Sequence, residues 1–274
     1  MEVPIVLHHG FMGYGDFAAG PVKVSYFGRI GRAIADRGHP VVVPWVHPTA
    51  GIATRARQLK ETILRHLDIL GRPQERVVVL AHSMGGLDAR YMICKLGMAD
   101  RVAALLTVTS PHRGSPFADF SVLHLGRLGA LRLLGAAGLD VQAANDLTTR
   151  HCRRFNESIP DSPGVKYFSV SAARPWHLIP AFALHAYKVV YDAEGDNDGL
   201  VSVKSSTWGT HLGVWPADHW HTLNRRFVLE LREPTGDITP YYLAALDRVL
   251  AGTPGLEAGV ARGGRGRQVT PSVK

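Results

Sequence analysis

The stretch RVVVLAHSMGGLDARYMI, residues 76–93, runs from β-branched apolar residues into a histidine, a serine and a pair of glycines. A serine hydroxyl attacks a carbonyl efficiently only when the backbone presents it and a base takes its proton. The turn A-H-S-M-G fits the elbow pattern G-x-S-x-G, in which a strand bends sharply into a helix with the serine at the bend. Both residues two positions from that serine must be small, and Ala81 and Gly85 are. Such a turn forces Ser83 into strained backbone angles. It also aims N–H groups at the start of the helix, chiefly that of Met84, toward developing negative charge. The competing reading is an ordinary strand–helix turn with a capping serine.

A second donor for that charge is expected from the turn after an earlier strand. HHGFMGYG, residues 8–15, meets the need by leaving the N–H of Phe11 available. An acid and a base should then follow in the order serine, acid, histidine. The loop YDAEGDNDGLVSVKSS, residues 191–206, carries Asp192, Glu194, Asp196 and Asp198. Asp198 abuts the apolar restart GLVSV and is nearest the sheet, whereas the other three read as solvated. The glycine of this loop is out of register with a calcium-binding loop. Fourteen histidines compete for the role of base. His219 and His221, in WPADHWHTLNRRF, follow Asp198 and the last strand signal, and chain order does not choose between them. His82 is expected to point into the fold, and His112, in SPHRGS, to be structural.

Bringing these groups together requires strands that end along one edge of a sheet. PIVLHHG (4–10), PVVVPWV (40–46), RVVVLAHS (76–83), RVAALLTVTS (101–110), VKYFSVSA (165–172) and THLGVWPA (210–217) read as strands. Helical spacing runs through 27–38 and 52–71, with Leu59, Ile63, Leu67 and Leu70 on one face of the second. The alternation predicts an α/β fold whose mostly parallel sheet has helices on both faces. Residues 115–158 break the rhythm and contain no clear strand. Within them FADFSVLHLGRLGALRLLGAAGL, 117–139, is apolar on most sides and reads as a mobile cover over Ser83 or as an ordinary buried helix. The expected organisation is one domain over 1–250, with 115–158 as a helical lid or cap insertion, and a Gly- and Arg-rich tail over 251–274.

With 274 residues, 46% hydrophobic and 20% charged, the chain has room for one large core and an ordinary globular composition. A formal charge of +8 favours anionic surfaces or simple solubility. Outside the C-terminal tail the basic residues are dispersed, and no nucleic-acid motif accompanies them, so no nucleic-acid partner is expected. No apolar run reaches membrane-spanning length. No basic and apolar leader precedes PIVLHHG, so the default expectation is a cytoplasmic protein, or a secreted one if a leader has been removed. Cys94 and Cys152 make no disulfide framework.

Taken together, PIVLHHGFMG, LAHSMGGLDARY, TVTSPHRGSPFAD, NDLTTRHCRRFNESIP, VKYFSVSA, NDGLVSVKSS and DHWHTLN resemble an α/β-hydrolase of the bacterial true-lipase type. These are the triacylglycerol lipases of pseudomonads and their relatives, and the resemblance spans residues 4 to about 225. It implies Ser83 as nucleophile, Asp198 as acid, His219 as base, and Phe11 and Met84 as oxyanion donors. It further implies hydrolysis of esters with lipid-like acyl chains and contact with a lipid interface, by a mechanism that itself requires no cofactor. Two places depart from the family. His221 stands where the family has a calcium-binding aspartate, with Arg225 in place of a nearby glutamine, and Lys204 stands where it has a disulfide cysteine. Neither that metal nor that disulfide is expected here. The alternatives are a soluble carboxylesterase or thioesterase with the same three residues, and a non-catalytic scaffold of the same fold.

Overall fold

The computed structural model describes residues 2–13, 17–19, 22–127, 142–225 and 236–256. β1 (Ile5–His8) is followed by a short antiparallel hairpin of β2 (Phe17–Ala19) and β3 (Val22–Val24). Next come β4 (Val41–Val42), β5 (Val77–His82), β6 (Val102–Val108), β7 (Lys166–Ala172) and β8 (Thr210–Trp215). Apart from the hairpin, these strands form one parallel sheet in the order β4-β1-β5-β6-β7-β8. The helices between and after them are α1 (Gly28–Ala35), α2 (Ile52–Ile69), α3 (Gly85–Lys95), α4 (Pro116–Arg127), α5 (Gln142–Asp146), α6 (Thr149–Ser158), α7 (Leu184–Glu194), α8 (Val203–Ser206) and α9 (Thr239–Ala251).

Every residue of β5 and β6 is buried. Helices cover both faces of these central strands, so their sequences carry no apolar–polar alternation. Successive side chains still point to opposite faces. Ile5, Leu7, Val78, Leu80 and Leu106 pack with Ile30 and Ile34 of α1 and with Tyr242 and Leu246 of α9. Val6, Val77, Val79 and Leu105 pack with Leu59, Ile63 and Leu67 of α2 and Met92 of α3. Burying each such large aliphatic side chain is worth about 2 kcal/mol. The two cores clamp the sheet, and with it the carboxyl ends of β1, β5, β6, β7 and β8.

The differences from the sequence reading have local causes. Strand pairing expected over 40–46 contracts to Val41–Val42 at the sheet edge, because Pro44 has no N–H for a ladder. Leu70 does not join the buried stripe of α2; it caps the helix, is 41% exposed, and is followed by Gly71 at φ 66°. The apolar restart GLVSV joins one isolated bridge, Asn197 to Ser202, and leads into α8, whose first turn Ser202 caps by accepting from the Ser205 N–H. The loop proposed to begin at 191 begins later, since α7 runs to Glu194. Between 115 and 158 the described residues form three helices and hold no strand. Residues 128–141 lie outside the described residues, and so does that half of the 117–139 segment; the tail beyond 256 does too. Both cysteines are free thiols, and burial pushes that of Cys152 up to about 12. No helix among the described residues is long and apolar enough to cross a membrane.

Candidate active site

β5 ends at His82, Ser83 has φ 55°, and α3 begins two residues later. That positive φ in a non-glycine residue is the strained bend expected of an elbow. The bend survives because its surroundings leave no room for another arrangement. A Cβ on Gly85 would stand 2.8 Å from the His9 carbonyl oxygen, and one on Gly10 would stand 2.7 Å from the Ser83 Cβ. Gly85 is therefore small because of the end of β1, not because of Ala81. The Ser83 N–H donates to the Val108 carbonyl at 2.9 Å, which ties the bend to β6.

The loop after β1 lies against this elbow. Among the described residues neither the Phe11 N–H nor the Met84 N–H donates to another group. Beneath the loop, Arg55 of α2 donates to the His9 and Gly10 carbonyls at 2.7 and 3.2 Å and to the His47 carbonyl at 2.8 Å. Its Nε also donates to Asp88 of α3 at 2.8 Å, and both side chains are fully buried. His8 Nε2 donates to the same carboxylate at 2.9 Å. Burial holds His8 below the usual histidine range despite that carboxylate, and burial first, then the neighbouring His8 ring and Arg55, lowers His9 to about 3. One ion pair thus links the helix behind Met84 to the loop carrying Phe11.

The acid and the base come from the far side of the sheet. Asp198 lies between β7 and β8, and His219 follows β8. Asp198 Oδ1 accepts from the Leu200 and Val201 N–H groups at 2.9 and 2.8 Å, which leaves Oδ2 for His219 Nδ1 at 2.7 Å. A proton on Nδ1 facing a carboxylate makes Nε2 an acceptor. That nitrogen stands 3.1 Å from Ser83 Oγ. Three segments far apart in the chain thus converge into one hydrogen-bonded line.

His82 does point inward, and it contributes more than packing. Tyr26 O–H donates to its Nδ1 at 3.0 Å, its Nε2 donates to Thr222 Oγ1 at 3.0 Å, and Thr222 donates to the His219 carbonyl at 2.6 Å. Burial first, then the His219 ring 4.8 Å away, push His82 well below the usual range, so a neutral imidazole backs His219. His112 is buried against Thr107, 3.0 Å from its Nε2, and burial keeps it uncharged as well. His221 is turned away from Ser83. Its Nδ1 accepts from Arg174 Nη2 at 2.8 Å, and Arg174 Nη1 donates to Asp218 Oδ2 at 2.7 Å. Arg174, Asp218, Arg55 and Tyr26 were missed from sequence. Only Asp218, adjacent to His219, carried a local signal.

Ser83 and His219 open into a cavity of about 370 Å³. Phe117 and Ala118 of α4, Leu147, Val201 and Leu223 make its wall mostly apolar, and Arg225 stands at its edge with Cζ 5.0 Å from the Tyr26 ring. α4 therefore borders the cavity where a cover was expected.

Solved structures share this architecture. The Staphylococcus hyicus lipase superposes with a TM-score of 0.70 over 90% of this chain and 95% of its own, at 16% identity. The fold is that of the α/β-hydrolases. In sequence, residues 52–127 match the PGAP1-like alpha/beta domain. Triacylglycerol lipase 2 of Saccharomyces cerevisiae is 31% identical over 217 residues, covering 76% of this chain and 65% of the yeast protein. The triacylglycerol lipase of Burkholderia plantarii is 32% identical over 180 residues, 58% of this chain and 48% of its own length. The chain thus spans about half to two thirds of the curated relatives it matches.

Proposed function

We propose that this α/β-hydrolase cleaves carboxylic esters with lipid-like acyl chains through Ser83, His219 and Asp198. The observation that carries the reading is the hydrogen-bonded line from Asp198 Oδ2 through His219 to Ser83 Oγ, at 2.7 and 3.1 Å. His219 takes the hydroxyl proton as Ser83 attacks the ester carbonyl, and the imidazolium is held by Asp198. The Phe11 and Met84 N–H groups, unengaged and beside the elbow, receive the negative charge of the tetrahedral intermediate. His219 then protonates the departing alcohol. Water, activated by the same imidazole, releases the acid from the acyl-enzyme. No step needs a cofactor. The apolar wall supplies the acyl subsite, and the names of the sequence relatives, triacylglycerol lipases, support lipid esters as the substrate class. The segment 115–158 acts as a cap on a domain spanning 1–250.

The test is hydrolysis of nitrophenyl esters from acetate to palmitate by wild type and Ser83→Ala in parallel, with fluorophosphonate labelling. Activity and labelling that both depend on Ser83 support the reading. A profile confined to short soluble esters makes the protein a carboxylesterase. A folded wild type that neither hydrolyses nor labels makes it a non-catalytic scaffold.

A further inference from the structure

The turn that presents His219 is held by charge, and the charge is a side chain. Asp218 Oδ1 accepts from the Trp220 and His221 N–H groups, both at 2.9 Å, which winds residues 218–221 into a tight turn. Its Oδ2 accepts from Arg174 Nη1 at 2.7 Å, and both side chains are almost completely buried. The same guanidinium reaches His221 Nδ1 at 2.8 Å through Nη2, while Nε donates to the Pro216 carbonyl at 3.3 Å. His221 Nε2 in turn donates to the Gly236 carbonyl at 3.1 Å. Arg174 follows β7, and its own N–H donates to the Asn197 carbonyl at 3.2 Å, one residue before Asp198. One residue therefore joins the end of a strand to the loop of the acid through its backbone N–H and to the turn of the base through its guanidinium.

The lipases that this sequence resembles have a calcium-binding aspartate where His221 stands, and the residues present here do not fit such an ion. Calcium takes six to eight oxygen ligands, carboxylates foremost. Here both Asp218 oxygens already accept N–H groups, and His221 offers nitrogen that is itself engaged by the guanidinium. A dication at this place would face the Arg174 charge.

We propose that Arg174 is a positioning residue: its guanidinium takes the place of a metal ion in fixing the turn that aims His219 at Ser83. The inference rests on the Ser83–His219–Asp198 reading. A guanidinium suits the task because its rigid fork serves several acceptors at fixed angles, whereas an ammonium is a point charge. Small displacements of a base are expensive, since a shift of about 1 Å can cost roughly 10²-fold in rate.

The experiment compares wild type, Arg174→Met and Arg174→Lys by nitrophenyl butyrate kinetics, fluorophosphonate labelling and the low-field proton resonance of the His219–Asp198 bond. Arg174→Met should lose about 10²-fold in kcat with little change in KM. It should still label to full stoichiometry, only more slowly, and its low-field resonance should broaden or vanish. Arg174→Lys should fall between the two and decides the question if Arg174→Met does not fold. Wild type should be indifferent to EDTA and to added calcium. Variants that label and turn over at the wild-type rate per labelled serine, with the resonance intact, overturn the proposal. So does wild-type activity lost in EDTA and restored by calcium. A wild type that shows the resonance but neither labels nor hydrolyses refutes the functional reading instead, and the resonance in the variants then still decides the role of Arg174.

Discussion

Ser83 and His219 meet in one cavity, but the two regions that hold them are built differently. The elbow is fixed by backbone crowding: Gly10 and Gly85 admit β1 and the start of α3 to within contact distance of each other, and no other residue would fit. The turn after β8 is fixed by side chains from distant parts of the chain, with Arg174 and Asp218 at its centre and Thr222 and His82 behind it. Crowding of this kind demands a glycine at each of two fixed points, beside β1 and beside Ser83, and so leaves a short motif at each. A charge cluster assembled across 44 residues leaves none.

The comparison breaks most severely at the reacting atoms. Ser83→Ala and His219→Ala should each lower kcat by up to about 10⁶-fold with Tm little changed, because residues acting as one unit fail together. An active His219→Ala beside a folded, inactive His221→Ala would reassign the base. The crowded region should fail by folding instead. Gly86→Ala would place a Cβ 2.3 Å from the buried Ser110 Oγ and 2.8 Å from Thr107 Cγ2, and overpacking of this kind costs about 1–3 kcal/mol. Thermal melting should show that loss, with surviving molecules labelling normally at Ser83.

Acid should also strike the elbow side first. His8, His9 and His82 have pKa values lowered mainly by burial, to about 3 for His9, and they pack around β1 and β5. Below pH 6.5 the unfolded chain binds protons that the fold refuses, so this contribution is present above that pH and is lost as pH falls toward the folded values. The slope is up to about 1.4 kcal/mol per pH unit for each such histidine. Urea unfolding between pH 7.5 and 5 measures it, and a flat dependence would contradict the neutral, buried assignment. On the other side of the comparison, His221→Ala removes hydrogen bonds to Arg174 and Gly236 but leaves Asp218 in place. It should cost about 1–2 kcal/mol of stability and only a few-fold in kcat. The smallest effect belongs to the cavity wall. Phe117→Ala should shift the preferred acyl length without changing the rate on acetate esters, as read from the nitrophenyl series.

Much of this molecule follows from its sequence. The apolar runs of β5 and β6 suited a sheet covered on both faces, and A-H-S-M-G matched an elbow at Ser83 better than an ordinary strand–helix turn with a capping serine. Chain order then carried the acid to Asp198, since three neighbouring carboxylates had no reason to approach the sheet. Spacing and chain order left His219 and His221 level, and only the family resemblance chose His219, because residues two apart diverge once the chain turns and that turn is held by Asp218 and Arg174. The sequence could not show that Arg55 and Asp88 couple the loop carrying Phe11 to the helix behind Met84, nor that His82 backs His219 through Thr222. Those links join residues separated by tens to more than a hundred positions. Their energies exist only after the two cores have clamped the sheet and excluded water. Sequence determined which groups stand at the ends of the strands; tertiary structure decided which of them face each other, because a buried charge or hydrogen bond is directed by whatever partner the packed fold brings within reach.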